Sequence, residues 1–97
     1  MSTLLQLTLS SRLRIPADVI VQDVAGESVL LDLKTERYYG LDEVGTTMIA
    51  ALRDQGSAQA AYEAALSTYE VDRETLEQDL LNLLTDLLRH GLLEIAA

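Results

Sequence analysis

Arg37-Tyr38-Tyr39-Gly40-Leu41-Asp42-Glu43-Val44-Gly45 decides how this chain folds. Up to Leu41 the stretch reads as a strand. Aromatic residues suit a pleated, half-buried surface, and Tyr38 and Tyr39 point to opposite faces. At Asp42 the reading changes. Aspartate is a favoured N-cap because its short carboxylate accepts from amides of the next turn, and Glu43 adds negative charge where the helix dipole favours it. Beyond it Val44, Thr47, Met48, Ala51 and Leu52 recur at helical spacing. The chain therefore divides near residue 41, with strands before it and helices after it.

Upstream, Val19-Ile20-Val21-Gln22-Asp23-Val24 is a short β-branched run, and Ala25-Gly26-Glu27 reads as a turn. Ser28 to Leu33 suits a strand covered on one face, and Lys34-Thr35-Glu36 is a polar break before Arg37. Pro16 has no N–H and marks where the first strand begins. Three antiparallel strands joined by tight turns are predicted. Farther upstream, Thr3 to Leu9 alternates at period two from Leu5 onward, which suits an edge strand or an arm. Residues 1–14 are set apart on that ground from a domain over 15–97.

Downstream, three helices are predicted. Gly56 closes the first, and Ser57 caps the second, which runs from Ala58 to Tyr69. Ala61, Ala65 and Leu66 share one side of it, with Tyr62 and Tyr69 a stripe away. Asp72 caps the third, with Glu74 in its first turn; that helix reaches about His90, where Gly91 stops it. Leu92-Leu93-Glu94-Ile95 is a short tail with strand character. Three antiparallel strands followed by three α-helices give an α+β, winged-helix-like domain.

The third helix carries the most information. At ~100° per residue, Leu76, Leu80, Leu81, Leu83, Leu84, Leu87 and Leu88 fill an arc of roughly 160°, wider than the ~100° stripe one core contact needs. Asp72, Asp79 and Asp86 lie beyond the Leu76/Leu83 edge. Two readings fit this pattern. The helix is buried between two neighbours, or its Leu76/Leu83 edge lines a groove for an apolar ligand. Periodicity does not separate them.

Composition narrows the function. The chain has 97 residues, 16 acidic and 7 basic, with a net charge of −9 and no cysteine. Disulfides, thiolate metal sites and cysteine nucleophiles are excluded, and one histidine rules out a multi-histidine metal site within one chain. No cofactor is expected. No apolar run approaches the ~18–20 residues that span a bilayer, and no secretion signal is visible, so a cytoplasmic protein without membrane contact is expected. Strands, a short helix, a turn and a long helix also resemble a DNA-reading helix-turn-helix. Yet residues 57–97 hold 2 basic and 8 acidic side chains, a net of −6, so the phosphate-binding contribution is missing. No glycine-rich phosphate loop or serine elbow occurs, and His90 at a helix end suits the dipole better than base catalysis. Gly40 and Gly45 suit turn geometry and close helix packing. A binder is favoured over an enzyme.

Leu30-Leu31-Asp32-Leu33 followed by Arg37 to Gly45 resembles the "L…G.Y..LN.VG" core of the PqqD-like family, peptide-recognition domains for ribosomally made, post-translationally modified peptides. The resemblance continues through Ile49-Ala50-Ala51-Leu52, Tyr69-Glu70-Val71-Asp72, Asp79-Leu80 and Leu87 to Leu93, and covers roughly residues 19–93. Asp42 stands where asparagine is frequent, a conservative change for an N-cap. Within the family the chain is most similar to the stand-alone recognition subunit of lasso-peptide biosynthesis.

That resemblance implies a non-catalytic adaptor. It would bind the leader segment of a precursor peptide and present it to a separate leader peptidase, a transglutaminase-like cysteine protease; since this chain ends at Ala97, that protease is expected on another polypeptide. The cyclase of the same pathway is a further implied partner. Family members take the leader as an added strand over the third helix, in which main-chain hydrogen bonds give affinity and side-chain pockets give selectivity. Here the edge would be Arg37, Tyr38, Tyr39, Gly40 and Leu41, and Leu76, Leu80, Leu83 and Leu87 would form the apolar wall, while Asp79, with Asp72 or Asp86, would pair with basic leader residues. Lasso leaders of the family carry a "YxxP" element, so a ring and a proline would enter that wall. For the tyrosines and leucines ordinary packing is the competing reading, and for Asp79 a solvated helix face. An exposed strand edge also suits pairing with a second copy, a homodimer through that edge. Two other functions stay open: a peptide chaperone for a radical-enzyme pathway, and a degenerate winged-helix transcription factor.

Overall fold

The computed structural model describes residues 7–96. The elements run β1 (Leu13–Arg14), β2 (Val19–Val24), β3 (Glu27–Asp32), β4 (Arg37–Gly40), α1 (Glu43–Gln55), α2 (Ala58–Thr68), α3 (Arg73–Arg89) and β5 (Glu94–Ile95). The expected α+β order of three antiparallel strands and three helices is present, with a small second sheet added. Of the expected N-terminal alternation, residues 1–6 lie outside the described residues.

The main sheet has the order β2-β3-β4 and is antiparallel throughout. Val24 pairs with Glu27, so Ala25 and Gly26 alone make the first turn, and both have positive φ (55° and 87°). That is the two-residue turn whose twist matches the flanking strands, and glycine takes its more demanding place. The second turn spans residues 33–36. The Asp32 carboxylate accepts from the Lys34 and Thr35 amides, which satisfies a buried acid locally.

Helix caps fall where the residue types predict. Asp42, Ser57 and Asp72 accept from the amides of Gly45, Ala60 and Thr75. Gly56 and Gly91 take left-handed conformations at the ends of α1 and α3. Two details differ from the sequence reading. Tyr69 is the C-cap of α2, not its last helical residue. The buried face of α1 is Gly45, Met48, Ile49 and Leu52, rotated from the expected stripe, because Val44 and Thr47 are only half-buried.

One core joins the layers. Leu30 from β3, Ile49 and Leu52 from α1, and Leu80, Leu84 and Leu87 from α3 are essentially without exposure. Leu13 of β1 is as buried as they are. β1 pairs antiparallel with β5, Leu13 opposite Ile95, which ties the start of the described chain to its end. The sequence tail that looked strand-like therefore forms half of a two-stranded ribbon.

Candidate functional site

Between β4, the start of α1 and α3 lies an open groove of about 630 Å³. β4 and the segment after it supply Tyr39, Gly40 and Leu41; α1 supplies Val44 and Met48; α3 supplies Leu76, Asp79, Leu83 and Asp86. β4 ends at the groove because Asp42 starts α1 there, and Gly45 lets that helix start close by. A Cβ on Gly45 would come 3.2 Å from Asp42 Oδ1 and 3.4 Å from Leu41 Cβ.

β4 is an edge strand, and its register determines which backbone groups face outward. Leu41 N–H donates to Ser28 O at 2.8 Å, so Leu41 and Tyr39 bond toward β3, while Arg37 N–H donates to Thr35 Oγ1 in the turn. Alternation then turns the N–H and C=O of Tyr38 and Gly40 toward the free edge. Gly40 has nothing within 4 Å of where a Cβ would sit. The backbone beside the groove is thus open to an added strand.

The two tyrosines separate as the pleat requires. Tyr38 is 75% exposed, while Tyr39 is half-buried and lines the groove. Tyr39 Oη donates to Asp86 Oδ2 at 2.7 Å, which ties the edge strand to α3. The hydrogen bond to Asp86, partial burial and the charge of Asp86 hold the Tyr39 phenol above the ordinary tyrosine range. His90 packs edge-on against the Tyr39 ring at 5.9 Å, and its Nδ1 lies 2.8 Å from the Asp86 carbonyl oxygen.

The wide leucine arc divides between the core and the groove. Leu80 and Leu87 are fully buried in the core and do not line the groove, a correction to the expected apolar wall. Both belong to the core cluster that all layers share. Leu76 (3% exposed) and half-buried Leu83 do line the groove. Arg37 and Tyr38 line a separate cleft of about 440 Å³ with Glu36, His90 and Leu92. Sequence reasoning missed Asp42, Val44, Gly45, Met48, Val71, Thr75 and Asn82 as groove residues. Only exposed Val71, an apolar residue in a polar turn, carried a signal.

Among the described residues the groove holds three carboxylates, Asp42, Asp79 and Asp86, and no Lys, Arg or His lines it. Asp42 is occupied by the Gly45 amide and Asp86 by the Tyr39 hydroxyl. Asp79 is exposed and has no hydrogen-bond or ion-pair partner among the described residues. Asp72, placed beside them on the helical wheel, caps α3 instead. Its bonds to Thr75 hold its carboxyl below the ordinary aspartate range. No cluster of potential metal ligands is present among the described residues, and no described helix is long and apolar enough to cross a membrane.

Comparison with known proteins adds the family. Two solved structures resemble the chain over 87% of its length. TbiB1 in complex with the TbiA(beta) leader peptide is 36% identical, with 98% of that chain covered and a TM-score of 0.78. Lasso peptide synthetase B1 complexed with the leader peptide is 26% identical, with 99% covered and a TM-score of 0.76. No curated protein matches the chain. The family described as coenzyme PQQ synthesis protein D (PqqD) matches residues 27–93, from the first residue of β3 to the end of the core. Fold, match and likeness agree: this chain belongs to the PqqD family.

Proposed function

We propose that the chain binds the leader segment of a ribosomal lasso precursor peptide by strand addition to β4 and delivers it to a separate leader peptidase. One observation carries the reading. The free edge of β4, with the Tyr38 and Gly40 backbone groups turned outward, opens beside a groove floored by Leu41, Leu76 and Leu83. An added strand needs both features, since the edge supplies directional hydrogen bonds and the groove takes alternate side chains. The likeness over nearly the whole length of two proteins solved with leader peptides supports the ligand class. Delivery to a transglutaminase-like cysteine protease, with the cyclase acting later, follows from the lasso resemblance.

The test is titration of fluorescent synthetic leaders, taken from any lasso precursor found encoded near this gene, into the purified chain. Binding at micromolar Kd or tighter is expected, with leader cleavage by the co-encoded peptidase accelerated when the chain is added. A leader that does not bind removes the reading. A leader that binds without faster cleavage removes delivery alone. Sedimentation of the free and loaded chain separates leader binding from pairing of two copies through the same edge.

A further inference from the structure

We infer that the groove selects a peptide with a lysine or arginine beside its apolar anchor, and that Asp79 is the side chain that reads this charge; the inference rests on the leader-binding reading above. The groove is apolar in its floor and wholly anionic in its charged lining. Of its three carboxylates, Asp42 is committed to capping α1 and Asp86 to the Tyr39 hydroxyl. Asp79 alone has no partner among the described residues, and it lies on the exposed lip between Leu76 and Leu83. A carboxylate in that position adds nothing to the fold's own hydrogen bonding. An incoming cation would meet it without first breaking an internal contact.

Spacing agrees with an extended ligand. At about 1.5 Å per residue, α3 rises roughly 4.5 Å from Leu76 to Asp79 and roughly 6 Å from Asp79 to Leu83. Side chains on one face of a strand recur about every 6.5–7 Å. A strand laid along the helix can therefore set a cation over Asp79 and an apolar side chain against Leu83 two residues away. Charge complementarity of this kind contributes mainly to selection and to the rate of encounter, and it weakens with salt.

The experiment measures Kd for the leader with the wild-type chain, Asp79→Asn, Asp79→Lys and the control Glu77→Lys, a change of equal charge on α3 outside the groove lining. In parallel each basic residue of the leader is replaced singly by Gln or Glu. Expected is a loss of roughly tenfold for Asp79→Lys and a smaller one for Asp79→Asn, each larger than that of Glu77→Lys. One leader Lys or Arg should be insensitive to further loss once Asp79 is changed, and its Glu variant should bind Asp79→Lys better than the native leader does. Equal losses at Asp79 and Glu77, or no basic leader residue coupled to Asp79, overturn the inference while leaving leader binding intact. No binding by the wild-type chain overturns both.

Discussion

Among the described residues no strand lies beyond β2 or β4, and the larger cleft on each side of the three-stranded sheet differs in charge. The larger cleft beside β2, of about 530 Å³, is lined by Ile15, Ile20 and Leu52 with Arg14 and Arg53 and by no carboxylate among the described residues. Beside β4 lies the groove of about 630 Å³ with Asp42, Asp79 and Asp86 and no cationic side chain among the described residues. Backbone groups at a sheet edge are alike on both sides and carry no information about the ligand, and on β2 the Val19 N–H already donates to Pro16 O. Selection between the edges must come from side chains. The β4 side also has a feature the β2 side lacks, the Tyr39–Asp86 hydrogen bond, which holds the edge strand against the helix forming the opposite wall.

Mutations that treat the edges as equivalents can break this comparison. The largest effect is expected for Leu83→Arg, whose side chain fills the groove and competes for Asp79 and Asp86. Loss of an apolar contact worth about 1.5–3 kcal/mol predicts leader binding weakened by roughly 10- to 100-fold. The counterpart Ile20→Arg, at an exposed position of the β2 cleft, should leave Kd within about twofold by the same reasoning. Equal losses by titration would mean that the leader does not distinguish the edges.

Gly40→Pro is the next test. It removes an outward N–H without removing a bond to β3, a place where a strand tolerates proline. Losing one ladder bond, with its partner carbonyl on the leader left unpaired, predicts about 1–2 kcal/mol, or a 5- to 30-fold rise in Kd. Circular dichroism should show the fold kept. An unchanged Kd would argue against strand addition at this edge.

Tyr39→Phe has the smallest expected effect and concerns stability. A half-exposed hydrogen bond to a carboxylate predicts a loss of about 1 kcal/mol or less in denaturant unfolding. Its pH dependence has a definite sign. The folded Tyr39 phenol is held above its unfolded value, so the contribution is fully present below the ordinary phenol pKa of ~10 and is lost as pH rises through the folded value. The stability gap between wild type and Tyr39→Phe should therefore be constant near neutrality and close at alkaline pH. Asp72 runs the other way. Its lowered folded value makes its capping contribution present above the ordinary aspartate pKa and lost on acidification, so the gap to Asp72→Ala should close at low pH.

Much of this molecule was legible before its fold was known. Asp42, Ser57 and Asp72 as caps and Gly56 and Gly91 as stops are local signals, each acting through the backbone of one turn. Gly45 as a close-packing residue was legible for the same reason. The Leu76/Leu83 edge was visible as surplus width in an apolar arc. That arc could not say that Leu80 and Leu87 belong wholly to the core, because a helical wheel gives directions but not the positions of neighbours. Nor could alternation say which tyrosine faces inward. That choice follows from where α3 lies relative to β4 and from the Asp86 carboxylate 47 residues away in the chain.

Sequence by itself determined the element order, the caps, the excess of negative charge on the C-terminal half and the family. These depend on residue type, local spacing and overall pattern. Tertiary structure alone decided that Leu13 joins the core through the β1–β5 ribbon, and that Val44, Met48 and Leu83 meet across one groove. It also decided that Asp79 is the one groove carboxylate left without a partner among the described residues. The physical reason is that a groove is a relation between elements. Its width, floor and charge arise from side chains far apart in sequence, and only packing brings them to the same edge.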